Sequence, residues 1–195
     1  MPRPTALHHQ YGLPVISTVL ADSYWLVRPG LLVTTAVLAL VGGWLLRRGR
    51  AGRRALTVLA AVSVVAALAL TLTPDTATRA PQFCAIQASI LAGHVDWPNV
   101  MLLQPAALFK ALRTRRYLPV LAATAGVSAV IEATQGALPL GRSCDTDDLV
   151  ANTLGAGIGV LLAALIVLLH TRSLRRDERP GRIESVRGRE APSKR

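Results

Sequence analysis

The chain has 195 residues, of which 51% are hydrophobic and 4% aromatic, a single-domain length with more apolar content than most soluble domains carry. Its formal net charge is +11, from 22 basic and 11 acidic residues. The arginines flank apolar blocks and are not interleaved with aromatic stacking residues, so the charge is topological and nucleic acid is not expected as a partner.

In chain order, residues 1–28 carry Arg3 and only a broken apolar run around Leu13 to Ala21, and are expected to form an extracytoplasmic leader, with a cleaved signal peptide as the alternative. Five apolar blocks follow: Pro29 to Leu46, Ala55 to Leu72, Pro98 to Leu112, Tyr117 to Leu138 and Leu149 to Leu169. A bilayer core of about 30 Å needs about 20 apolar residues in a helix. The first, second, fourth and fifth blocks approach or meet that length. The third has 15 residues, about 22 Å, short enough for a re-entrant or interfacial helix as well as a span.

Charge placement orders the blocks. Five arginines lie in the expected loop Arg47 to Arg54, Arg113, Arg115 and Arg116 precede the fourth block, and nine basic residues follow His170. The segments Thr73 to Trp97 and Pro139 to Asp148 hold one arginine each, Arg79 and Arg142. The positive-inside rule puts the basic segments in the cytoplasm, which requires the third block to cross. Trp25, Trp97 and Tyr117 stand at block edges, where amphipathic rings meet headgroups. The expected fold is therefore all-α, a polytopic membrane helix bundle of about five transmembrane helices over residues 29–170, N-terminus out and C-terminus in. Residues 171–195 are expected to be a disordered basic cytoplasmic tail near anionic membrane lipid.

The two cysteines, Cys84 and Cys144, both fall on the outer side, where a disulfide can form; the alternative is two independent thiols. Polar residues inside a membrane block are costly and mark partners or cavities. In the fourth block Ser128, Glu132 and Gln135 lie four and three apart, on one helix face. The loop beyond it carries Arg142, Asp145, Asp147 and Asp148, and Asp145 or Asp147 is suited to cap the fifth helix. Within that helix Asp148 and Asn152 share a face, and Ala151, Gly155 and Gly159 form a small-residue stripe for close helix packing. The Ser128 face is its expected partner, with Asn152 donating to Glu132 or Gln135.

Two interpretations follow. Glu132, Gln135, Arg142, Asp145, Asp148 and Asn152 form either an outward-opening cluster that binds a polar or cationic group, or interhelical hydrogen bonds and caps. A membrane hydrolase using paired carboxylates, or a small transporter using Glu132, are the other classes. The sequence has no Gly-x-Ser-x-Gly elbow, phosphate-binding Gly-Lys loop or His-Glu-x-x-His, and His8, His9, His94 and His170 are scattered. No catalytic residues, cofactor or metal are therefore expected.

The stretch from Ser128 to Gly159 resembles the VanZ-like family of bacterial membrane proteins. The matching pattern is Ser128, Ile131-Glu132, Gln135, Gly141-Arg142, Asp145, Asp147-Asp148, Asn152 to Ala156 and Gly159, with Asn99 and Pro105 in the third block. Cys144 stands where the family usually has an apolar or aromatic residue, and the first two blocks carry no part of the signature. The resemblance implies a bacterial plasma-membrane protein of the cell envelope and, from the founding member, low-level antibiotic resistance to teicoplanin. It makes a peptidoglycan precursor or glycopeptide the expected partner. In that account Glu132 and Asp148 carry charge, Arg142 meets an anionic group, and Asn152 and Gln135 orient them.

Overall fold

A computed structural model describes residues 24–74, 84–86, 96–140 and 144–177. Five helices dominate: α1 (Tyr24–Arg47), α2 (Gly49–Leu72), α3 (Trp97–Thr114), α4 (Tyr117–Ala137) and α5 (Thr146–Asp177). Two short strands, β1 (Cys84–Ala85) and β2 (Cys144–Asp145), pair in parallel with Cys84 opposite Cys144. The described residues are otherwise all-α. Among the described residues four stretches are long and apolar enough to cross a membrane, Pro29–Arg47, Gly49–Leu72, Tyr117–Ala137 and Thr146–Arg175.

α3, the short third block, is the centre of the bundle. It packs most extensively against α5 and α2, and Leu103, Ala107, Leu108 and Ala111 are fully buried. A helix walled in by protein need not be apolar on every side, because its neighbours meet the lipid instead. This is why α3 can carry Gln104 with only 1% of its surface exposed. The Gln104 amide donates to Thr35 Oγ1 of α1 at 3.2 Å, so the buried group is satisfied across the helix pair.

Helix direction follows from three contacts. Thr35 lies beside Gln104, and a side chain on Gly42 would strike Leu112, so α1 and α3 run parallel. Side chains on Gly155 and Gly159 would strike the backbone at Val100 and Gln104, so α5 runs parallel to both. Arg50, Arg53, Arg54 and Arg113 line one recess where α2 begins and α3 ends. The bundle thus has a basic end, and an opposite end where α3 and α5 begin.

Three expectations are corrected. The stripe of Ala151, Gly155 and Gly159 packs on α3, not on the Ser128, Glu132 and Gln135 face of α4: a Cβ on Gly155 would stand 1.7 Å from Val100 O, and one on Gly159 2.5 Å from Gln104 O. A short loop makes α4 and α5 neighbours, but the smallest face of α5 goes where two backbones come closest. Arg47 to Arg54 is not a loop, since only Arg48 separates α1 from α2. Gly49 there has φ 62°, and Gly52 crosses α1 so tightly that a Cβ would lie 1.8 Å from Leu45 O; the Arg48 guanidinium closes the corner 3.8 Å over the Trp44 ring. α1 reaches back to Tyr24, across Pro29, while its stretch long and apolar enough to cross a membrane begins at Pro29, where the first apolar block does. Finally, residues 171–177 continue α5 rather than joining the tail, since arginines are good helix formers and suit the negative end of the dipole. Residues 1–23 and 178–195 lie outside the described residues.

Candidate functional site

The end of the bundle opposite the arginines collects acids from three helices. Asp96 precedes α3, whose first turn holds Pro98, a residue suited to a helix start, and then Asn99. Glu132 comes from the last turns of α4, and Asp145, Asp147 and Asp148 from the start of α5. Asn99 is the junction. Its side-chain amide donates to Asp148 Oδ1 and, at 3.1 Å, to Asp96 Oδ2. One neutral group therefore bridges two carboxylates, and it can neutralise neither. Among the described residues, that amide and the acids Asp96, Glu132, Asp145 and Asp147 act on the Asp148 carboxylate.

Glu132 is 6% exposed, and its Oε2 accepts the backbone N–H of Asp145 at 3.0 Å. That bond ties the end of α4 to the start of α5. Asp145 is the cap of the two candidates, since its Oδ1 accepts the N–H of Asp147 at 2.9 Å. Gln135 donates to Thr71 O at the end of α2 at 3.0 Å, which fixes α4 against α2. Burial pushes the Asp96 carboxyl above its ordinary range, against the opposing effect of a hydrogen bond from Asn99. Asp96 thus takes up a proton more readily on acidification than a free aspartate does.

Cys84 and Cys144 are disulfide-bonded, with 4.4 Å between their Cα atoms. The bond lies on Gly136, where an added Cβ would meet Cys84 Sγ at 3.1 Å and Cys144 Cβ at 3.2 Å. β1 and β2 are thereby held over the end of α4, next to the acids that follow Cys144.

The structure brings together Glu132, Asp145 and Asp148, and sets Gln135 beside them on the Glu132 face. Asn152 lies one turn deeper than Asp148 and is 1% exposed. The expected bond from Asn152 to Glu132 or Gln135 is not made: Glu132 Oε2 accepts from the Asp145 backbone and the Gln135 amide donates to Thr71 O, while Gln135 Oε1 stays open. The spacing of Asn152 to Gly155 puts it instead on the α3 side of α5. Arg142 lies outside the described residues. Three buried oxygens have no hydrogen-bond partner among the described residues: Ser128 Oγ, Gln135 Oε1 and Asn152 Oδ1. Such atoms cost about 1–3 kcal/mol each and mark places where a polar group can bind. Among the described residues no three His, Cys, Asp or Glu are grouped to hold a metal ion.

Composition and spacing alone did not single out Asp96 as part of the cluster, although an acid just before Trp-Pro at a helix start is a legible cap signal. Thr71 contributes through its carbonyl, which no sequence pattern reveals. Chemically, the described residues form a patch of carboxylates and amides, able to hold a cation or an amine.

The family model for VanZ/LLP1 matches residues 32–168. No curated protein and no solved structure matches the chain. The match extends well beyond the Ser128 to Gly159 signature, taking in most of α1, all of α2 and the Asn99 junction on α3. With more than half of the sequence so covered, the chain belongs to the VanZ/LLP1 family.

Proposed function

We propose that this membrane protein is a non-enzymatic envelope component with five spans, its acidic end outside, and that this end binds the cationic group of a peptidoglycan precursor or glycopeptide. The observation that carries the proposal is the convergence of Asp96, Glu132, Asp145 and Asp148 from three helix ends, where among the described residues the Asn99 amide and no cation is set against Asp148. Structural capping accounts for Asp145 and for one oxygen of Glu132. It does not account for Asp96 and Asp148, which repel each other and share one amide. A cationic ligand relieves that repulsion, and the open oxygens of Gln135 and Asn152 are suited to accept its N–H groups. The positive-inside rule supports the orientation, since the opposite end holds Arg50, Arg53, Arg54 and Arg113.

Transport is the second reading. It is favoured by the near-complete burial of Glu132 together with Ser128, whose partnerless Oγ lies one turn deeper on the same face. The two readings separate on substitution. Outward binding needs Asp148 and Glu132 together; transport needs Glu132 and tolerates Asp145→Asn, because asparagine keeps the cap.

The test is teicoplanin and vancomycin susceptibility of a glycopeptide-sensitive host expressing the wild type, Glu132→Gln, Asp148→Asn and Asp145→Asn at matched membrane levels. The expected result is protection against teicoplanin by the wild type and its loss in the first two variants. A wild type that gives no protection removes the glycopeptide role, and variants that protect as well as the wild type remove the acidic cluster as the site.

A further inference from the structure

The basic end holds two recesses that share Thr57 as a common wall. The first, about 520 Å³, is lined by Arg50, Arg53, Arg54 and Arg113. The second, about 440 Å³, is a groove between α2 and α4 floored by α3, with Ala60, Ala106 and Val120 along it and Lys110 and Arg116 at its mouth. Among the described residues no acid lines either recess.

The groove is apolar in function as well as in composition. The hydroxyls of Thr57, Thr114 and Thr124 donate back into their own helices, to Arg53 O at 3.1 Å, Lys110 O at 2.9 Å and Val120 O at 2.8 Å. Along α4 it runs from Pro119 to Val127, about 12 Å at helical rise, close to the roughly 15 Å depth of one leaflet's hydrocarbon. Small residues make it a recess: Ala60 is buried in its α2 wall and Ala106 in its floor, and Ala123 leaves it open. An elongated apolar slot with cations at one end only, at the level where a bilayer turns polar, matches one kind of molecule.

We propose that this end of the protein is a binding site for a single anionic phospholipid. One acyl chain lies in the groove between α2 and α4, and the phosphate sits among Lys110, Arg116 and the neighbouring arginine cluster. Charge complementarity selects the headgroup, since six exposed cations line the two recesses with no acid among the described lining residues, and an anionic headgroup lowers their mutual repulsion. The groove selects a lipid over a free phosphate, because only a lipid also fills the apolar slot.

Native mass spectrometry of the full chain in detergent, with equimolar phosphatidylglycerol and phosphatidylcholine of identical acyl chains, tests this. The wild type is expected to retain phosphatidylglycerol in preference by about tenfold or more. Lys110→Gln with Arg116→Gln is expected to weaken phosphatidylglycerol binding by about 25-fold, at about fivefold for each cation. The exchange of the two charges, Lys110→Arg with Arg116→Lys, should restore it and so control for misfolding. Ala123→Leu fills the groove without touching a charge and should weaken binding of the same lipid. Equal retention of both lipids by the wild type overturns the site, as does an undiminished preference in the Gln variant. Unchanged binding in Ala123→Leu overturns the seating of the chain in the groove.

Discussion

Gly155 and Gly157 are two residues apart in α5 and meet different surroundings. A Cβ at Gly155 would lie 1.7 Å from Val100 O, whereas one at Gly157 would meet nothing within 4 Å. Gly155→Ala must therefore push α3 from α5, at an expected cost of about 1–3 kcal/mol or more. Gly157→Ala should be neutral or slightly stabilising, by about 0.5 kcal/mol, since it only removes the backbone freedom of glycine in a helix. Unfolding of the two variants in detergent, followed by the loss of monodisperse protein on heating, checks this; equal effects would mean that the α3–α5 contact is not the tight seam. At this scale much of the candidate site was legible. Glu132, Asp145, Asp148 and Asn152 stand out in sequence because charged and amide groups are costly where they lie. Their bonds were not legible, since Glu132 takes a backbone N–H and Gln135 a backbone carbonyl, and the main chain is the same at every position.

Among the elements, the paired strands show how a covalent link organises the acidic end. The disulfide joins positions 60 residues apart and holds β1 and β2 over Gly136. Closing a loop of that length contributes about 2–4 kcal/mol, chiefly by restricting the unfolded chain. Cys84→Ser with Cys144→Ser is expected to lower stability by that amount, and a reductant should bring the wild type down to the same level while leaving the variant unchanged. A wild type indifferent to reductant would show that the bond adds nothing to the fold. α3 shows the limit of hydropathy at this scale. Its block is the shortest and reads as marginal, yet it is the most enclosed helix, because enclosure by four neighbours substitutes for apolar length.

For the whole molecule, charge is divided between the two ends. α3 runs from Asn99, within the acids, to Arg113, among the arginines, and its 18 residues extend about 27 Å, near the thickness of a bilayer core. Single cysteines at Pro98 and Thr114, placed in the disulfide-bonded protein, are expected to react with a membrane-impermeant maleimide from opposite sides, Pro98 from outside. Labelling of both from one side would remove the five-span arrangement and leave α3 as a re-entrant element.

The sequence by itself determined the number of helices and most of their extents, because length and hydropathy act within each segment independently of its neighbours. It also determined the division of charge between loops and the identity of most acids at the end opposite the arginines. Tertiary structure decided which faces meet. The seam of Gly155 and Gly159 went to α3 and not to α4, Asn99 became the bridge between Asp96 and Asp148, and Asn152 was left without the partner expected for it. A face that is small or polar states what it can accommodate, whereas the choice among several candidates depends on how closely whole helices can approach, a property of the packed bundle and of no single segment.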